Sequence, residues 1–325
     1  MFKKILIIIV LFIVIISLIV GYLYMIDTSK NNMDMVKIAG LQGPTSIGMI
    51  KMIEEKPKLY KSESTYEIIA NTDLLISKLQ SNEFDIACLP VNLAANIYNK
   101  GMNYELLGVN TLNNLYVIGT DDTIENISDL KNTTVYVINK GATPDILFSY
   151  ILNKNEINNV TLEYSMQQSE LAAAIIAGKV KYAVLPEPFV SQVVSKNPDC
   201  KVLFDLQDEL NKISDENVTI TQGCIVVNKE FAKNNKKVLD EFIIKYTESI
   251  EFVNNNLTEA GQMCEKYSLG VNSITAATAI PRSNIVYLKA ENSKRDINNF
   301  LKILYDFNPK SIGNKIPDDG FYYNK

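Results

Sequence analysis

From Val36 onward, short runs of aliphatic and β-branched residues alternate with stretches in which apolar positions return every three or four residues, as strands separated by helices would. Strand-like runs fall at 36–39, 66–70, 85–89, 105–109, 116–119, 135–138, 161–164 and 181–185. Thr72 stands before Leu74, Leu75, Ile76 and Leu79, Asn92 before Leu93, Ala94, Ala95 and Ile97, and Ser169 before Leu171, Ala172, Ile175 and Ile176. Each of the three is a residue type that caps a helix start. The pattern predicts an α/β chain, with a mainly parallel sheet covered by helices. It breaks at 104–120, where only Asn113-Asn114 separates two strand-like runs, so the chain passes from one sheet to another without a helix. A second strand and helix series runs from Val135 to about Ser195. A long strand-like run at 218–227 is interrupted at Gln222-Gly223, and the remainder reads mostly as helix. Two lobes joined by two crossing segments account for this, 36–115 plus 223–325 forming lobe one and 116–222 lobe two. A single open sheet is the alternative.

Ahead of the alternation, residues 5–20 are apolar except for Ser17 and follow Lys3 and Lys4. Extended through Ile26, the stretch spans a hydrocarbon core of about 30 Å at about 1.5 Å per residue. The lysines stay inside, so the rest of the chain faces outward. A cleaved signal peptide is the competing reading, but the apolar region is long for one and no small-x-small pattern precedes Asp27. Residues 1–26 are therefore expected to be a signal anchor or a signal peptide, and 27–35 a linker. The protein is then extracytoplasmic, attached to the cell membrane, or secreted if the segment is cleaved. Lipid acylation has no cysteine to use, the first being Cys88.

Composition narrows the chemistry. A net charge of −5 offers nucleic acid no basic surface. There is no histidine and no tryptophan, which removes Ser-His-Asp and Cys-His catalysis and histidine-ligated metal sites. Only Arg282 and Arg295 could provide a guanidinium clamp. Cys88, Cys200, Cys224 and Cys264 are widely spaced, and the apolar neighbours of Cys88 and Cys224 suit packing better than reactivity. No cofactor, no metal site and no catalytic residue is implied.

In open α/β sheets ligands bind beyond the carboxyl ends of the strands. The candidate ligand-binding residues follow from that rule. After the first strand come Gln42, Gly43, Pro44, Thr45 and Ser46, and after the third Pro90, Val91 and Asn92. After the sixth come Lys140, Gly141, Ala142, Thr143 and Pro144. Free amides at a helix start favour anions or carbonyl oxygens, Gly141 permits close approach, Thr143 can cap and Lys140 adds charge. The eighth strand leads into Pro186-Glu187-Pro188, where Glu187 is the first choice for a specificity residue, accepting hydrogen bonds from an amine, an amidine or a ring N–H. A surface lysine is the other partner open to it. Tyr116 could stack on a ring or simply pack, and Gln222, at the break in 218–227, completes the set.

These turns resemble those of the extracytoplasmic solute-binding proteins of ABC importers, in the nitrate, sulfonate and taurine group that includes binders of thiamine-pyrimidine precursors. The matching pieces are Gly43-Pro44-Thr45-Ser46, Phe84-Asp85-Ile86-Ala87 with Asn92-Leu93-Ala94-Ala95, Lys140-Gly141-Ala142-Thr143, and Leu185-Pro186-Glu187-Pro188-Phe189 after an Ala-rich helix ending at Gly178. The resemblance covers nearly all of the chain from Val36. It implies a two-lobed periplasmic-binding-protein-like (type II) fold, a monomer closing on a small-molecule ligand, and a partner permease with a cytoplasmic ATPase. Leu185-Pro186 stands where the family commonly has tryptophan, and basic donors expected of sulfonate and nitrate readers reduce here to Lys140 and backbone amides. An amine-bearing or pyrimidine-type heterocycle is thus as consistent as a sulfonate-like anion. An enzyme of pyrimidine-precursor or small-carboxylate metabolism on the same architecture, or a membrane-tethered sensor, are the rival readings. If the anchor is retained, the expressed protein sediments with membranes and keeps its first residues; N-terminal sequencing that begins near Asp27 would overturn it.

Overall fold

The computed structural model describes residues 14–19, 35–214 and 218–324. The expected anchor and linker lie almost wholly outside them; 14–19 is helical and exposed, and no helix among the described residues is long and apolar enough to cross a membrane.

Eleven strands form among the described residues: β1 (Met35–Leu41), β2 (Glu63–Ile69), β3 (Ile86–Pro90), β4 (Tyr104–Thr111), β5 (Leu115–Gly119), β6 (Thr134–Val137), β7 (Thr161–Glu163), β8 (Tyr182–Pro186), β9 (Lys201–Asp205), β10 (Gly223–Asn228) and β11 (Ile285–Lys289). They sort into two sheets. Sheet one has the order β11-β4-β10-β3-β1-β2 and sheet two β7-β6-β8-β5-β9. In each, four strands run in one direction through helical crossovers, and one strand that has arrived from the other sheet is inserted antiparallel. That strand is β10 between β3 and β4, and β5 between β8 and β9; β11 adds a further antiparallel strand at the edge of sheet one. The α/β class and its two sheets agree with the sequence pattern; the single open sheet does not form.

Strand alternation explains the layering, because successive side chains point to opposite faces. On β3, Ala87 and Leu89 enter one core while Ile86 and Cys88 enter another. On β5, Leu115 and Val117 join the first core, while Tyr116 and Ile118 face a third beneath the helices Gln168–Ile176 and Phe189–Lys196. The first core is continuous from sheet one to sheet two, so the sheets share packing as well as chain. Both central strands are buried on both faces, which accounts for their unbroken apolar runs. All four cysteines are free and buried, and burial pushes the Cys88 thiol up to about 12.

Several local expectations shift. Asn71, not Thr72, caps the helix Thr72–Gln80, its side chain accepting from the amides of Asp73 and Leu74. Asn92 and Ser169 lie inside their helices, which start at Val91 and Gln168. Only Gly223–Asn228 of the 218–227 run is strand. The preceding residues are held by Gln207, whose amide donates to the carbonyl of Val218 at 2.7 Å and accepts from the Ile220 N–H at 2.8 Å, so no neighbouring strand is needed. The sequence pattern does not mark β9 and β11, each of which buries a single side chain, Phe204 and Ile285, and so leaves no alternation to read. The helices Leu257–Lys266 and Ser273–Ala279 pack closely at Gly261, where an added Cβ would lie 2.3 Å from the Ser273 carbonyl oxygen. Gly261→Ala is expected to destabilise by about 1–3 kcal/mol, measurable as a lower midpoint in urea.

Candidate functional site

The turns after β1, β3, β6 and β8 open onto one crevice between the sheets, with a volume of about 510 Å³. Sheet one contributes Gln42, Gly43, Pro44, Thr45, Pro90 and Asn92, and sheet two Ala142, Thr143, Pro144 and Glu187, with Gln222 on the return crossing. Local chemistry places each turn. Pro44 occupies the first helical turn of Pro44–Ile47, where its missing N–H costs nothing. Gly43 has φ 123°, a conformation that favours glycine. The helix Thr143–Lys154 begins at Thr143 itself, so Thr143 is not the cap; instead the Asp145 carboxylate reaches back to accept from the Gly141 N–H at 2.7 Å.

Five expected residues do not line the crevice. Ser46 is fully buried and donates to the Leu41 carbonyl at 2.6 Å. Val91 is core. Tyr116 packs in the third core, its hydroxyl donating to the Arg282 carbonyl at 3.0 Å, with no face free for a ring. Lys140 projects over the Tyr164 ring, 5.2 Å from its centre. Gly141, expected to permit close backbone approach, has its N–H donating to Asp145 and its carbonyl accepting from the Asn308 amide at 3.1 Å.

Glu187 borders the crevice but is 0% exposed, and its carboxylate is already engaged. Arg282 Nε donates to Oε1 at 2.8 Å; the Ser191 hydroxyl donates to Oε1 and the Ser191 N–H to Oε2, each at 3.0 Å. Arg282 Nη2 also donates to the Ser191 hydroxyl at 2.9 Å. The partner is therefore an arginine from the far end of the chain rather than a surface lysine or a ligand amine. Burial raises the Glu187 carboxyl above its ordinary value, while the Ser191 N–H and Arg282 pull the other way.

Further lining residues follow the same strand-end rule: Ala70 and Thr72 succeed β2, and Gln168 opens the helix after β7. Asn114 belongs to the Asn113-Asn114 break that marks the first crossing. Leu269, Gly270 and Val271 come from a loop without any signal in the sequence; the Gln42 amide donates to the neighbouring Ser268 carbonyl at 2.7 Å. Apart from Glu187, the lining carries only neutral amides, hydroxyls and apolar groups.

Two sheets, each built on four strands of one direction with one antiparallel strand inserted from the other sheet, and a crevice where their turns meet, define the two-lobed periplasmic-binding-protein fold. An ABC transporter structure from Parabacteroides distasonis matches with TM-score 0.79 and 27% identity over 90% of this chain and 99% of that one. The periplasmic aliphatic sulphonate binding protein SsuA from Escherichia coli matches with TM-score 0.69 and 14% identity over 90% and 95%. The Candida albicans CA3427 gene product, described as having the generic periplasmic binding protein fold, matches with TM-score 0.55 and 14% identity over 90% and 98%. Residues 100–260 match the model of the family described as NMT1/THI5 like, in line with the resemblance carried by the turns. Comparison with curated proteins gives no match.

Removing Arg282 would leave a buried carboxylate without its cation. A carboxyl whose value is raised by folding favours the folded state most below its ordinary value, and that contribution disappears as pH rises through the raised one. Arg282→Ala is therefore expected to cost about 2–3 kcal/mol at neutral pH and progressively less in acid, as Glu187 takes up a proton. Thermal melts of both proteins across the acid range check this; a difference independent of pH would contradict it.

Proposed function

We propose that the protein is the extracytoplasmic solute-binding component of an ABC importer, capturing a small polar molecule between its two lobes and delivering it to a permease with a cytoplasmic ATPase. The observation that carries this reading is the convergence of turns from both sheets on one crevice of about 510 Å³, within the size range of small-molecule sites. The lobes are 36–115 plus 223–325 and 116–222, and the segment 1–26 holds the protein at the membrane. The function is capture rather than catalysis, and the protein works as a monomer.

Ligand contacts to both lobes favour the closed arrangement, and only this difference in affinity shifts the equilibrium between open and closed. Thr45, Asn92 and Gln222 would make contacts on one side, Thr143 and the turn at Glu187 on the other. The SsuA relative is described as an aliphatic sulphonate binder. With Lys140 over Tyr164, an anion here would rely on backbone amides, and with Glu187 engaged by Arg282, an amine has no free carboxylate. Both charged readings lose the side chains that supported them.

Saturating ligand, found by thermal-shift screening, is expected to reduce the radius of gyration in small-angle scattering and to stabilise the fold by about 2.7 kcal/mol at one hundred times its dissociation constant. Binding without compaction would count against lobe closure.

A further inference from the structure

We infer that the Asn114 carboxamide reads the captured solute, and that the solute is uncharged and presents a hydrogen-bond donor beside an acceptor, as a lactam or primary carboxamide edge does. The inference rests on the solute-binding reading and deepens it. Asn114 is 0% exposed and borders the crevice, yet neither its Nδ2 nor its Oδ1 has a hydrogen-bond partner. Its main chain is already used, the carbonyl accepting from the Glu187 N–H at 2.9 Å. The side chain therefore contributes no hydrogen bond to the fold of the empty protein.

Buried amides are almost always paired, and an unpaired one destabilises its protein. A carboxamide holds its donor and acceptor side by side, so the group that satisfies both at once carries the complementary pair on one edge. Gln222, on the other crossing, also borders the crevice with its buried Oε1 unpartnered, which supplies a second acceptor for a solute N–H. Charge enters by exclusion. Glu187 is the one ionisable residue among those lining the crevice, and Arg282 and Ser191 already engage it. Leu93, Ile138, Phe189 and Leu269 supply apolar surface against which a ring could lie.

The test is titration calorimetry of the purified full chain with uracil, hypoxanthine and nicotinamide as neutral probes, and with taurine and methanesulfonate as charged ones, alongside melts without ligand. At least one neutral probe is expected to bind. Asn114→Leu, which replaces an unpartnered amide with an apolar group of similar size, is expected to weaken that binding about tenfold or more while leaving the ligand-free melting temperature unchanged or raised. A lowered melting temperature with unchanged affinity would assign Asn114 a structural role and overturn the inference. Gln222→Leu is expected to weaken the same probe, and unchanged affinity in that variant overturns the inference if N114L does not fold. Binding of taurine or methanesulfonate by a protein that ignores every neutral probe defeats the inference but leaves solute capture standing. Failure of all five probes defeats the inference, and if broader screening also finds no ligand that compacts the protein, solute capture falls with it.

Discussion

The two chain crossings leave sheet one side by side, and that register governs the rest of the molecule. β4 and β10 pair antiparallel until Thr111 stands opposite Gly223, after which the chain leads outward to β5 on one side and returns through Gln222 on the other. Gln222 closes the pairing by donating its N–H to the Thr111 carbonyl at 2.9 Å, and its own carbonyl accepts from the Val91 N–H at 3.1 Å. The crossing is thereby fixed to the helix start after β3. Asn110, one residue earlier, donates to the Thr45 carbonyl at 2.8 Å and to the Tyr246 hydroxyl at 3.2 Å, fixing it to the turn after β1. Gly223 has no room for a side chain, since a Cβ would fall 2.6 Å from Asn110 Oδ1 and 2.8 Å from Thr45 Cγ2. Two of the crevice turns thus take their positions from the hydrogen bonding of the crossings.

The turns of sheet two are held from the opposite direction, by the C-terminal part of the chain. Arg282 binds Glu187, its carbonyl accepts from Tyr116, Asn284 donates to the Asn113 carbonyl at 2.5 Å, and Asn308 donates to the Gly141 carbonyl. These contacts bring residues that follow β10 against the turns after β6 and β8. Any change in the angle between the sheets must therefore exchange or carry along these bonds, in addition to bending the crossings. The Arg282 and Glu187 pair sits where such a change would be felt most, because Glu187 is 0% exposed and pairs with no other cation among the described residues.

The sequence made the architecture readable wherever a structural role imposed a period. Among strands β1 to β8, all but β7 bury two or more residues, and that burial leaves alternating or unbroken apolar runs. The absence of a helix between β4 and β5 betrayed the first crossing. At the site, the strand-end rule located the turns but could not say which side chains face the crevice, because that depends on partners distant in sequence. Lys140 is drawn to Tyr164, Tyr116 to Arg282 and Ser46 to Leu41. Glu187 stood out in the sequence as a candidate ligand contact, but the arginine that engages its carboxylate lies 95 residues away. Asn114 was visible as part of a break and carried no signal that its amide would be buried without a partner.

A crevice without free charge must select by hydrogen bonding and apolar fit rather than by ionic contact, which changes what selectivity can achieve. Neutral hydrogen bonds add little net affinity, because water offers the solute and the open protein similar partners. Discrimination is another matter. A site whose buried donors and acceptors are completed only by the right solute rejects a close analogue strongly, since the wrong one leaves those groups unpaired. Asn114 and Gln222 are groups of that kind, buried at the junction where the sheets meet. In a chain with no histidine and two arginines, one of them committed to Glu187, unsatisfied amides would, on the proposed reading, couple recognition to closure without any ionic contact.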